Sequence, residues 1–363
     1  MAGGHMHRTG RTPSNAREGT PWPSPATPAH TDRDETPRDY TLPMAVNADK
    51  PTRWKEDIAR SVDLYNEWFL AFAPDTYRAT RVDTTKKVGE ALRLTGNLRT
   101  LSPATLAEHP AIVPMLRMAT APPIARDRLV GLARVSKTLV YTMENDERVP
   151  PRMRPAALQE ELGRIADIIL RLADRDLFTW LEPPRKATEQ ELFRASTIVA
   201  DRLCGAMANP IVRNAQERRQ LAKLKKWLEA HRYRFLRAGD GVRLETMAPG
   251  TFTFRLNVPV KLEGGTTTVN IPVDTVIMPK KGRMPLTPLL VEAKSAGDFT
   301  NVNKRRKEEA TKMAQLRANY GKRVRYILFL CGYFDSGYLG YEASERIDWV
   351  WEHRMDDLHH FGL

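Results

Sequence analysis

A chain of 363 residues that is 41% hydrophobic has apolar material for two domains, or for one large domain with an appendage. Its longest apolar run, around Tyr326 to Phe334, is too short to cross a bilayer, and its first ten residues hold no apolar signal segment. Two distant cysteines, Cys204 and Cys331, argue against a disulfide framework or structural zinc and fit a reducing cytoplasm. The net charge of +13 is concentrated. Residues 213–237 and residues 301–325 each carry nine basic and two acidic side chains, the footprint of a polyanionic partner.

Residues 1–48 are rich in Pro, Thr and Ser, hold seven of the 26 prolines and lack hydrophobic periodicity. They are expected to be disordered, and whether they belong to the functional protein stays open. Order is expected from near Trp54, where Ile58, Val62, Tyr65 and Phe69 follow at helical spacing. Ala73-Pro74-Asp75 is predicted to end that helix. From Val82 to Ala208 the chain reads as helix, in segments near 84–95, 103–108, 110–118, 124–144, 153–176 and 188–208. Proline pairs at 122–123, 150–151 and 183–184 separate several of them. Residues 49–208 are thus expected to form a helical domain.

At Asn209-Pro210 the composition shifts, and a second domain is expected over 209–363. It opens with a long helix whose apolar face includes Ile211, Leu221, Leu224 and Leu228. A β meander follows: Thr251–Leu262, a Glu-Gly-Gly turn at 263–265, a second strand to about Met278, a Lys-Lys-Gly-Arg turn, and a third strand ending at Lys294. A helix over Asn303–Tyr320 and a buried strand over Arg323–Cys331 come next. The C-terminus reads as a helix or cover layer. The expected class is α+β.

Between Thr251 and Gly297 the only acidic residues are Glu263, in a turn, and Asp274 and Glu292. Antiparallel pairing brings Asp274 close to the end of the next strand. There the period of two turns Glu292 and Lys294 to one face. Two carboxylates and an ammonium at the end of an apolar sheet are costly unless compensated. A hard cation such as Mg²⁺, with oxygen ligands from Asp274 and Glu292, compensates them. Lys294 then holds a water in line with a phosphorus atom, the equipment for metal-assisted phosphodiester hydrolysis. The bland alternative is a solvated strand end with an incidental ion pair. Glu217 is either an intrahelical partner of Arg213 or Arg218 or a third carboxylate of the metal site.

The order helix, three antiparallel strands, helix, strand resembles the core of the PD-(D/E)xK nuclease superfamily, with Asp274 and Glu292-Ala293-Lys294 in the places of its acid and its E-x-K. Here Pro272 stands two residues before the aspartate, whereas the family's proline usually precedes it directly. The strings NPIVRNAQERRQL, LLVEAKSAGDFTNVNKRRKEEATKMAQL and CGYFDSGYLGYEASERIDWVWEHRMDDL, with SPATLAEHPAIVPMLRMATAPPIARDRLVGLA upstream, are similar to the XamI-type type II restriction endonucleases, over nearly everything from about residue 50 onward. The resemblance implies a double-stranded DNA substrate, Mg²⁺ as cofactor, a short palindromic target of the GTCGAC kind, a homodimer and a cognate DNA methyltransferase in the same system. Asp274, Glu292 and the Ala293 carbonyl are then the expected metal ligands, with Lys294 at the attacking water. Lys304, Arg305, Arg306 and Lys312 are expected on phosphates, and Gln315 and Asn319 are suited to adenine edges. Two other readings share these residues: a DNA-binding regulator without catalysis, and a nicking or repair nuclease that recognises structure rather than sequence.

Overall fold

The computed structural model describes residues 45–237, 240–261, 267–281, 287–300, 306–321 and 324–363. The Glu-Gly-Gly turn at 263–265 and the second half of the Lys-Lys-Gly-Arg turn lie outside them. The helical layer comprises α1 (Pro51–Leu94), α2 (Pro103–Glu108), α3 (Val113–Met118), α4 (Arg126–Ala133), α5 (Lys137–Asn145), α6 (Pro155–Leu172) and the first half of α7 (Glu189–Ala230). Its core gathers residues such as Leu92, Leu116, Leu139, Ile165, Ile169 and Leu203. Thr188 starts α7 with a reciprocal cap: its Oγ1 accepts the Glu191 N–H at 3.2 Å, and Glu191 Oε2 accepts the Thr188 N–H at 2.9 Å.

Six strands form one mixed sheet in sequential order: β1 (Arg234–Leu236), β2 (Thr251–Lys261), β3 (Thr268–Met278), β4 (Leu289–Ala296), β5 (Arg325–Gly332) and β6 (Asp348–Trp351). Strands β2, β3 and β4 run antiparallel to their neighbours in the meander, as expected, while β4, β5 and β6 are parallel. Alternation then sorts the side chains. On one face Leu290, Tyr326, Leu328, Leu330 and Trp349 pack with Met313 and Leu316 of α8 (Arg306–Tyr320) and Leu339 of α9 (Ser336–Ser344). On the other, Leu289, Val291, Ile327, Phe329 and Val350 pack with Leu224 and Leu228 of α7.

Several sequence expectations are corrected. Pro74 lies inside α1, a helix of 44 residues, and Pro210 lies inside α7, so the composition shift at 209 falls within a helix. An interior proline costs a helix about 3 kcal/mol. Both helices are held on either side of it: Val88, Ala91 and Leu92 of α1 join the helical core, while Trp54 joins the sheet core. Ordered chain begins before Trp54, because the Asp348 carboxylate accepts the backbone N–H groups of Asn47 and Ala48 at 3.0 and 3.1 Å. The C-terminal segment contributes an edge strand, β6, before the 3₁₀ turns of Glu352–Phe361.

One irregularity positions the site. Strands β2 and β3 keep a constant register on both sides of Arg255 and Asp274, yet those two residues do not pair. Arg255 is in the left-handed region, at φ +53°. Across this point residues of equal parity change faces: Phe252 and Ile277 belong to the α7-side core, whereas Leu256, Val258, Ile271 and Val273 belong to the α8-side core. A non-glycine residue held at positive φ stores about 1 kcal/mol or more of strain. Arg255→Gly should therefore be about 1 kcal/mol more stable to urea than Arg255→Ala, both having lost the same guanidinium. Equal midpoints would remove strain from the account.

Candidate active site

Among the described residues β3 and β4 pair through Thr275–Val291, Val276–Leu290 and Ile277–Leu289, and then diverge. The gap opens at Asp274 and Glu292. Asp274 bridges it with a side chain, its Oδ2 accepting the Ala293 N–H at 2.9 Å. The N–H and C=O of one strand residue point to the same side. The Ala293 carbonyl therefore faces this gap too.

Glu292 and Lys294 share a face, as alternation requires. Lys294 Nζ lies 3.1 Å from Glu292 Oε1 and 2.7 Å from Glu309 Oε1. Lys312, from α8, places its ammonium 2.6 Å from the same Glu292 oxygen. The other oxygen, Glu292 Oε2, is buried without a hydrogen-bond partner. Burial opposes the charge of Lys294, but the Glu292 and Glu309 carboxylates outweigh it and raise the lysine above its ordinary value. Asp274 is pushed up to about 6 by burial and by the Glu292 charge, against the Ala293 hydrogen bond and the Lys294 charge, which lower it.

Glu309 is the residue that sequence reasoning missed. It is fully buried on α8 and its second oxygen accepts the Tyr326 hydroxyl at 2.7 Å. Behind it, Glu342 of α9 is also fully buried, and burial with the nearby Glu309 charge pushes its carboxyl up to about 8. A signal existed. Glu309, Met313 and Leu316 repeat at spacings of four and three, which places the carboxylate on the apolar face of the helix.

Glu217 pairs neither with Arg213 nor with Arg218. Its Oε1 accepts from Arg255 Nη2 at 2.7 Å, across to β2, and its charge is one of the influences that raise Asp274. Gln220, one turn later, donates to the Lys294 and Phe329 carbonyls at 3.3 and 3.2 Å and so pins the strand end beneath the lysine.

The residues expected on DNA are described only in part. Lys304 and Arg305 lie outside the described residues, as does the side chain of Arg306. Lys312 pairs with Glu292. Asn319 is not free for a base edge: its Oδ1 accepts the Lys261 N–H at 2.6 Å and its Nδ2 donates to the Lys261 carbonyl at 3.1 Å. That pairing closes the end of β2, and a base would have to displace both bonds. Gln315 is half-buried, with its backbone carbonyl accepting from Asn319 Nδ2 at 2.9 Å.

The donors around the gap suit a hard cation. One Glu292 oxygen lacks a partner, Asp274 uses one oxygen on Ala293 and keeps the other, and a backbone carbonyl faces the same space. Two ammonium groups crowd the opposite Glu292 oxygen and balance its buried charge. Among the described residues no group of three or more His, Cys, Asp or Glu side chains is poised to hold a metal, so a cation here would rely on two carboxylates and the backbone.

A basic chain whose mixed sheet ends in two carboxylates and a lysine has the parts of a DNA-cleaving enzyme, and comparison with known proteins gives its class, the restriction endonucleases. The chain belongs to the XamI restriction endonuclease family, whose model matches residues 96–351 and so includes Asp274, Glu292 and Lys294. It is similar to Type II restriction enzyme SalI of Streptomyces albus G, with 53% identity over 317 residues, 87% of this chain and 99% of that relative. No solved structure matches it. Among the described residues no helix is long and apolar enough to cross a membrane.

Proposed function

We propose that the chain hydrolyses phosphodiester bonds of double-stranded DNA with Mg²⁺, at a short palindrome of the GTCGAC kind, on a PD-(D/E)xK core. The observation that carries the site assignment is the meeting of Asp274 with the Glu292-Ala293-Lys294 strand end around a buried carboxylate oxygen that has no partner. Asp274, Glu292 and the Ala293 carbonyl would hold the cation. When bound, it supplies a Lewis acid for the phosphate and lowers the pKa of a water. Lys294, held as an ammonium between Glu292 and Glu309, orients the attacking water and donates toward the charge that grows on the phosphate. Lys312 balances Glu292 in the free protein and becomes available to a phosphate once another cation takes that role. Lys304, Arg305 and Arg306, which open the second basic cluster, supply salt-dependent affinity, and Gln315 remains the α8 amide suited to a base edge.

A palindrome is read most simply by a two-fold dimer. Cutting in the cytoplasm requires a methyltransferase of matching specificity to protect the host DNA. The direct experiment offers plasmid DNA to the purified chain. Discrete fragments with Mg²⁺ and none with EDTA are expected. Binding without metal-dependent cutting would make the chain a regulator. Cutting confined to junctions or damaged sites would make it a structure-specific nuclease.

A further inference from the structure

Between α1 and α7, above the end of β4, lies a cleft of about 900 Å³ with Lys294 in its lining. Arg78 and Arg81 of α1 line one wall and Arg213 of α7 the other. The α1 arginines are one helical turn apart, so both face the same space. Their ion pairs are weak. Arg78 lies 3.5 Å from Asp75 and Arg81 lies 3.3 Å from Asp201, with all four side chains more than half exposed. Arg213 has no carboxylate partner among the described residues. The lining also includes Asp298, one of whose oxygens accepts the Thr300 N–H at 2.9 Å.

Gln216 supplies a second, independent observation. It lines the cleft and is only 2% exposed, yet neither its Oε1 nor its Nε2 has a hydrogen-bond partner. Gln220, one turn along the same helix, has its amide nitrogen satisfied by two strand carbonyls. A buried amide left without partners is unfavourable by about 1–3 kcal/mol. The cleft that Gln216 lines is the space from which a partner for its amide can come.

We propose that this cleft holds the sugar–phosphate backbone of the DNA strand flanking the scissile bond. Arg78, Arg81 and Arg213 meet its phosphates, and the Gln216 amide donates to a backbone oxygen at the floor. The proposal rests on the nuclease reading above and explains the long N-terminal helix, with α1 forming the outer wall of the DNA channel. Three guanidiniums against one carboxylate, with Lys294 continuing the positive lining to the reacting centre, match a polyanion that must pass through that centre.

The test uses the full chain in EDTA, where it does not cut, with a fluorescent duplex carrying the target site. Affinity is measured across a series of KCl concentrations. Each of Arg78→Ala, Arg81→Ala and Arg213→Ala should lower the slope of log affinity against log salt by about 0.9, one phosphate contact. Lys86→Ala, exposed on α1 outside the cleft, should leave it unchanged. Gln216→Leu should bind DNA several-fold more weakly while melting no lower than the wild type, an outcome that a purely structural glutamine would reverse. Unchanged slopes in all three arginine variants, with wild-type binding still salt-dependent, would overturn the cleft assignment and leave the nuclease reading standing. A wild type that neither bound nor cut DNA would overturn both.

Discussion

Lys294→Ala should bind DNA but cut it about 10³-fold more slowly or not at all, the scale expected when a group that handles the reacting water or its proton is lost. The substitution should also destabilise the protein by about 3 kcal/mol, because it leaves the fully buried Glu309 without its cation. Those two effects separate. In the double variant Lys294→Ala/Glu309→Gln most of the stability should return, since the stranded charge is gone, while cleavage stays lost. Denaturant melts and single-turnover digestion measure the pair. Discrete fragments at the wild-type rate from Lys294→Ala would end the catalytic assignment.

Asp274→Asn should abolish cleavage and make the metal-free protein more stable at pH 8. The folded carboxyl titrates at about 6 against the usual 3.8, so it holds its proton more tightly folded than unfolded. The stabilisation this affinity provides is fully present below pH 4 and is lost as the pH rises through 6. At pH 8 the wild type therefore carries an ionised, half-buried carboxylate that asparagine replaces with a neutral amide. A shift of about two units, at about 1.4 kcal/mol each, sets an upper figure near 3 kcal/mol. Partial exposure and coupling to Glu292 reduce the expected gain to about 2 kcal/mol. The gap between variant and wild type should close as the pH falls to 4, and Mg²⁺ should narrow it at pH 8 by stabilising the wild type alone. An asparagine variant less stable than the wild type at pH 8 would show that Asp274 is a structural carboxylate. The same titration predicts that cleavage at low Mg²⁺ weakens as the pH falls through about 6.

The corner was legible in the sequence for a physical reason. Charges are rare in a buried meander, so Asp274, Glu292 and Lys294 stood out, and the period of two fixed which of them share a face. The meander and the helix after it were legible too, because their apolar spacing is regular over ten residues or more. Strands β1 and β6, of three and four residues, are too short to carry a period. Pro74 and Pro210 read as helix ends because local propensity says so, and packing overrides it, with α1 shared between the helical core and one sheet face and α7 between the helical core and the other. The positive φ of Arg255 had no local signal, since nothing in the run Phe254-Arg255-Leu256 asks for a left-handed residue. Gln216 and Gln220 were hidden differently. Their amides sit at helical spacing among basic residues and look solvated until the strand beneath them is known.

The segment that begins at Val46 is stitched to the last part of the chain. Asn47 donates to the Trp349 carbonyl, Asp57 pairs with Arg354, and the Gly332 N–H donates to Ser61 Oγ at 2.7 Å. A side chain at Gly332 would strike the Ala296 carbonyl oxygen at the end of β4, so this closure lies against the strand that carries Lys294. Loops of some 300 residues must therefore shut before the lysine strand is fully braced, an entropic cost met only when late contacts form. The strand that carries Lys294 is thus braced only once the start of α1 and the segment after β5 have met.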